Sequence, residues 1–320
     1  MKPARIAFTL LAAIAIPCAL AQNYPNRAIK LIVPSSPGGG TDIVGRILAQ
    51  KLSEQLGQQV IVDNRAGAGT IIGNDAVAKS APDGYTLLVG LSTLAINPSM
   101  YAKLPYDALR DFAPISQAVS SPNMLTLHPS VPAKTVKELI VLARAKPGSL
   151  TFGSAGMGTS PHLSGELFKT LAKIDMVHVP FKGSGQSIIS QIAGEIAANF
   201  PSVPTAMPYV KAGRLRGLGV TTVKRAQALP DMPSIAEAGL PGYEATQWFG
   251  LLAPAGTPRA IIDRLYQESS RALRSADVKE RMIAEGLEVV GGTPEEFAAY
   301  IKSETDKWTK VIKAAGIKPQ

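Results

Sequence analysis

Short apolar runs alternate along the chain with stretches in which apolar residues recur at helical spacing, and this alternation predicts strands interleaved with helices. The first such unit is compact. Leu31, Ile32 and Val33 form a run suited to a strand buried on both faces, and Pro34 ends it by removing a backbone donor. Gly38, Gly39 and Gly40 follow as a loop, then Thr41 at the expected N-cap, then a helix with the apolar stripe Ile43, Val44, Ile47, Leu48 and Leu52. Exposed amides at such a helix start favour an anion. A lone glycine loop serves equally well as a tight turn.

Recurrence changes that balance. Val60-Ile61-Val62 is a second strand, followed by Asp63-Asn64-Arg65, the turn Gly67-Ala68-Gly69 and a helix through Ile72, Ala76 and Val77. Tyr85–Gly90 is a third strand, with Ser92 and Thr93 at its carboxyl end, where open α/β sheets place ligands. Residues 97–122 are proline-rich and lack a period. A second domain is expected from Met124–His128 onward, with a helix over 136–145, a strand at 150–152 and the loop Gly153–Gly158. Thr159-Ser160-Pro161 then supplies a hydroxyl N-cap and a first-turn proline for a helix with the stripe Leu163, Leu167, Phe168 and Leu171. The theme returns at strand Val177–Phe181, loop 182–185 and a helix turning Ile188, Ile189 and Ile192 inward. Strands are expected at 196–200, 217–221 and 250–254, then helices over 259–273, around 279–283 and over 294–315. The last has Phe297, Ile301, Trp308, Val311 and Ile312 on one face.

Residues 1–21 stand apart: Lys2 and Arg5 precede the apolar run Ile6–Ile16, and Ala19-Leu20-Ala21 fits a cleavage site, so a secretory signal peptide removed after Ala21 is expected. The run is shorter than the roughly 20 residues of a membrane span. Pro17 before Cys18 fits lipidation poorly, and the mature chain then has no cysteine, which excludes disulfides, a zinc–thiolate site and a cysteine nucleophile. The 320-residue chain is 46% hydrophobic, long enough for a large core or two domains. Loss of two basic residues takes the net charge from +9 to +7, and the remaining cations are scattered among acids, with no nucleic-acid stripe.

The catalytic inventory is thin. His128, His162 and His178 show no metal-ligand spacing, no Gly-x-Ser-x-Gly elbow occurs, and no carboxylate pair stands out. A dinucleotide fingerprint beginning at Gly38 and Gly40 requires glycine where Ile43 stands, and no Gly-Lys-Ser/Thr follows a glycine run. No metal and no cofactor is expected. His162, in the first turn of its helix, is a candidate donor to an anion there.

A series of motifs is linked along the chain: Tyr24-Pro25-Asn26-Arg27, Pro37–Asp42, Val62-Asp63-Asn64-Arg65, Ala81-Pro82-Asp83-Gly84-Tyr85 and Leu104-Pro105-Tyr106-Asp107. Gly158-Thr159-Ser160-Pro161-His162-Leu163, Val177–Gly183, Leu229–Pro233, Glu237–Tyr243, Trp248-Phe249-Gly250 and Ala253–Pro258 continue it over nearly the whole chain. Together they resemble the tripartite tricarboxylate transporter receptor family, the Bug or TctC type of periplasmic solute-binding protein. The resemblance implies two α/β lobes, of the type II-like periplasmic binding protein fold, closing on a small carboxylate held by Ser36–Asp42 and Ser154–Ser160. Two positions depart from many relatives: Ser35 replaces an aromatic residue, and Pro201 stands where an acid would hold a ligand ammonium.

The combined expectation is lobe 1 from residues 22–122 and 244–320, lobe 2 from 123–243, and hinges near 120–123 and 242–251. The expected ligand residues are Ser36, Gly39, Gly40 and Thr41; Ser92 and Thr93; Ser154, Gly156, Gly158, Thr159, Ser160 and His162; Gly183 and Ser184; and Pro201. Asp42 braces its loop, facing away from the anion. The expected function is capture of a mono-, di- or tricarboxylate in the periplasm by a monomer, for delivery to a tripartite tricarboxylate-type membrane transporter, with no nucleic-acid partner and no enzyme activity. The alternatives are an exported hydrolase or cofactor-dependent enzyme on a similar fold, and a ligand-sensing partner of a membrane kinase.

Overall fold

A computed structural model describes residues 24–319 apart from 36, 39, 182 and 183. The signal segment with its cleavage point, and the candidate residues Ser36, Gly39 and Gly183, therefore lie outside the described residues. In chain order the first elements are β1 (Ile29–Val33), α1 (Gly40–Leu56), β2 (Val60–Asn64), α2 (Ile71–Ala78), β3 (Thr86–Leu91), α3 (Thr93–Met100) and β4 (Phe112–Ser121). Next come β5 (Met124–Leu127), α4 (Val136–Ala145), β6 (Thr151–Ser154), α5 (Ser160–Ala172), β7 (Val177–Pro180), α6 (Ser184–Ile192), β8 (Ala198–Asn199), α7 (Val203–Lys211) and β9 (Arg216–Val220). The chain ends with β10 (Gln247–Pro254), α8 (Arg259–Arg274), α9 (Ala276–Ala284), β11 (Glu288–Val289) and α10 (Pro294–Ala314).

These strands make two sheets. One has the order β11-β4-β10-β3-β1-β2 and the other β7-β6-β8-β5-β9. Parallel pairing of β1 with β2 and β3 follows from the intervening helices, whereas β10 runs antiparallel between β3 and β4. The chain enters the second sheet through Pro122 and Asn123 and returns between β9 and β10, so the first sheet is built from both ends of the sequence. Helix α10 closes it. A capping box between Thr293 and Glu296 starts this helix, and Phe297, Ile301, Trp308, Val311 and Ile312 are buried along one face. No helix of the described residues is long and apolar enough to cross a membrane.

Several details differ from the periodicity reading. Residues 97–122 hold the end of α3 and the ten-residue β4, whose irregular apolar spacing reflects burial on both faces between β10 and β11 and two register shifts against β10. Leu171 and Ile72 are exposed, and Ile189 is 64% exposed where an inward face was expected. Helix α6 buries Ile188 as expected, leaves Ile192 half-buried, and turns Ser187, Ser190 and Gln191 inward in place of Ile189. Hydrogen bonds explain the rotation: Gln191 exchanges two bonds of 2.9 Å with Thr126, and Asn199 donates to Ser187 Oγ at 2.7 Å.

Candidate functional site

Helix α1 begins at Gly40, so Thr41 lies inside the first turn and not at the N-cap expected from sequence. The loop before it is tied down by Asp42. Its Oδ2 accepts the Gly38 amide at 2.8 Å and Arg46 Nε at 2.9 Å, while Oδ1 accepts Asn64 Nδ2 at 2.9 Å. Burial alone raises a carboxyl pKa, but here the bonds from Arg46, Gly38 and Asn64 outweigh it and hold Asp42 below the usual carboxylate range. With its folded pKa depressed, Asp42 contributes stability that is present above its unfolded value near ~3.9 and lost as pH falls through the folded value. Asp42→Asn is therefore expected to lower stability at pH 7 by about 2 kcal/mol, since it removes charge-assisted bonds and turns an amide toward Asn64. The deficit should begin to shrink below about pH 4, where the carboxyl of the unfolded chain takes up a proton that the folded carboxyl still resists; urea titrations at pH 7 and pH 3.5 measure it.

A cavity of about 300 Å³ opens where α1 faces the second sheet. Gly40 and Thr41 form one wall, Ser121 of β4 with Gln247 and Phe249 of β10 form the floor, and Ser202, Pro204 and Thr205 at the start of α7 form the opposite wall. The remaining lining comes from Ile43, Glu285 and Leu287, so no lysine or arginine is among the described lining residues. The starts of two helices thus line one space of mixed polar and apolar character. Of the described residues expected from sequence, only Gly40 and Thr41 line it.

The other candidates lie on adjoining loops. Ser160 is connected to the α7 wall, because its Oγ accepts Asn123 Nδ2 at 2.8 Å and Asn123 makes an isolated β-bridge with Ser202. Pro201 is buried, with its carbonyl taken by the Met124 amide at 2.8 Å. Ser154 Oγ accepts the Gly156 amide at 3.0 Å, and the Gly158 amide donates to His162 Nδ1 at 3.0 Å. Thr159 occupies the N-cap of α5, but its hydroxyl turns back to the Gly156 carbonyl at 2.6 Å. This loop also meets the first lobe, since a Cβ on Gly158 would lie 3.1 Å from Met100 Cε at the end of α3. Ser184 opens α6, and Ser92 precedes α3, its carbonyl accepting the Ala95 and Ile96 amides. Thr93 Oγ1 lies 2.8 Å from Thr70 Oγ1, in a network where Asn74 and Asn97 both donate to Tyr106.

Sequence reasoning missed Ser121, Ser202, Thr205 and Gln247. A signal for α7 was present, because Ser202 stands at its N-cap and Pro204 in its first turn, but Pro208 inside the helix argued for a turn. Among the described residues no group of three or more His, Cys, Asp or Glu side chains is placed to hold a metal ion.

Comparison with known proteins agrees with this architecture. A family model described as the tripartite tricarboxylate transporter family receptor matches residues 44–317. Protein BugT of Bordetella pertussis is 39% identical over 315 residues, covering 97% of this chain and 96% of that protein. A solved R. palustris protein with adipate superposes with a TM-score of 0.80 at 37% identity, covering 93% of this chain and 100% of its own. MatC of Rhodopseudomonas palustris with bound malate gives 0.75 at 31% identity, covering 90% and 100%.

Proposed function

Because this chain belongs to the tripartite tricarboxylate transporter receptor family, we propose that it captures a small organic carboxylate between its lobes and delivers it to membrane transporter subunits. The carrying observation is the cavity where the starts of α1 and α7 face each other across Ser121 and Gln247. Its volume lies at the small end of the roughly 300–1,000 Å³ usual for small-molecule sites. At the α7 start the Val203 amide is taken by the Pro122 carbonyl at 3.1 Å and Pro204 has none, which leaves the Thr205 amide. With the amides that open α1, the hydroxyls of Thr41 and Ser121, and one proton of the Ser202–Thr205 hydroxyl pair joined at 2.8 Å, it offers donors to carboxylate oxygens without a buried cation. Adipate and malate in the two R. palustris relatives support a dicarboxylate. Export to the periplasm, with loss of the first 21 residues, belongs to the same reading. Closure accompanies capture, because neither lobe alone encloses the anion.

The hydrolase alternative has one structural foothold, the contact of 2.7 Å between Ser154 Oγ and His178 Nε2. It goes no further. Ser154 is fully buried and its oxygen already takes an amide, so a substrate carbonyl has no path to it. Calorimetry against mono-, di- and tricarboxylates and their amides tests the proposal. We expect saturable binding of at least one acid, recovered unchanged; tighter binding of an amide or a neutral sugar than of every acid overturns it.

A further inference from the structure

The loop from Gly153 to Thr159 contains two glycines in the left-handed region, Gly156 at φ 124° and Gly158 at φ 72°, so its backbone has little intrinsic preference for one shape. Two stacked imidazoles hold it instead. His178, on β7, reaches Ser154 Oγ at the front of the loop, and His162, on α5, accepts the Gly158 amide at the back. Their ring centroids are 4.0 Å apart at 26°, and His178 stacks in turn on Phe152 at 4.9 Å. His162 is 1% exposed, so neither ring turn nor outward swing toward a ligand is open to it.

An imidazole nitrogen that accepts from an amide carries no proton, which places the His162 proton on Nε2, 4.0 Å from Glu166 Oε1. The charged groups facing the pair are Glu166 and Lys169, themselves joined at 3.0 Å. Burial first, then the neighbouring His178 and Lys169, pushes His162 down to about 3. Burial and Lys169 push His178 down to about 4. Both rings are neutral at any physiological pH, so both nitrogens that hold the loop stay available as acceptors or neutral donors.

We propose that His162 is a positioning residue for ligand capture, fixing the loop that meets the ligand through the Gly158 amide and its stack on His178 without touching the ligand itself. This rests on the carboxylate reading above and on the loop's link to that cavity, which it does not itself line: Ser160 Oγ holds Asn123, the bridge partner of Ser202 in the α7 wall. It reverses two sequence expectations: His162 is not a ligand donor, and the Gly158 amide, already committed, is not one either. The donors that remain at this helix start are the amides of Ser160 and His162, which precede the first intrahelical bond, from Leu163 to Thr159.

A ring that merely fills space would be replaced without loss by phenylalanine, whereas an acceptor would be replaced by asparagine, whose Oδ1 falls near the position of Nδ1. The test compares wild type, His162→Phe and His162→Asn by hydrogen exchange at the Gly158 amide without ligand, and by calorimetry with adipate or malate, whichever the wild type binds. His162→Phe should lose at least tenfold in Gly158 protection and at least tenfold in affinity, and His162→Asn should recover both to within about threefold. A phenylalanine variant equal to wild type, or an asparagine variant as poor as phenylalanine, overturns the proposal. Nitrogen chemical shifts of the wild-type histidines decide independently of whether a variant folds: His162 must show an unprotonated Nδ1 and a protonated Nε2, and the opposite tautomer overturns the brace. If the wild type binds no carboxylate, the ligand assignment fails while exchange and tautomer still judge the brace.

Discussion

Gly40→Val leaves the protein folded and weakens carboxylate binding by more than a hundredfold. The fold tolerates the change because a Cβ at Gly40 meets only Phe249 Cζ at 3.7 Å, an ordinary contact, and the residue does not need a left-handed backbone. Binding does not tolerate it. Gly40 and Phe249 both line the cavity, so the added isopropyl group occupies ligand volume and shields the amides that open α1. Charge-assisted bonds contribute roughly 1.5–3 kcal/mol each, and losing two of them exceeds the ~2.8 kcal/mol that corresponds to a hundredfold. Calorimetry and thermal melting on the same sample check both halves. Wild-type affinity in the variant removes this cavity as the ligand site, and Gly40→Ala should fall between the two.

Gly250→Val should damage stability, not binding chemistry. Gly250 sits in β10 between Gly90 of β3 and Gln117 of β4, and lets α10 lie close against the sheet. A Cβ there would stand 2.3 Å from Phe297 Cζ and 2.9 Å from the Ser116 carbonyl oxygen. The ring has little room to yield, since Phe297 packs edge-on to Trp248 at 5.4 Å and both are fully buried. The carbonyl belongs to the backbone of a central strand and yields less. Overpacking of this kind costs about 3 kcal/mol, at the upper end of its usual range, and lowers the melting temperature of a chain this long by roughly 5 °C. A melting temperature within a degree of wild type would show that α10 shifts outward at no cost.

Asp42 and His162 illustrate how much of the site was legible. Both stand at helix starts beside glycine loops, and a local pattern suffices to place them there. Asp42 then bonds to Gly38 and Arg46, close neighbours in the chain, so its bracing role was open to a reader of the sequence. His162 faces a ring contributed by another element, and only the packing of β7 against β6 brings His178 to it.

The amino-acid order by itself determined the strand–loop–helix units, the return of the chain to its first sheet and the apolar face of α10, because these follow from contacts a few residues apart and from linked motifs. Tertiary structure decided the rest. The cavity floor joins Ser121 to Gln247, and its far wall is Ser202 and Thr205, residues far apart in the chain that meet only when two strands cross side by side between the sheets. The inward face of α6 was likewise set from outside, because buried Thr126 and Asn199 needed hydrogen-bond partners and turned Ser187 and Gln191 toward them in place of Ile189. Leaving those groups unpaired costs roughly 1–3 kcal/mol each, comparable to the whole gain from burying one isoleucine, so satisfying them overrides the hydrophobic period.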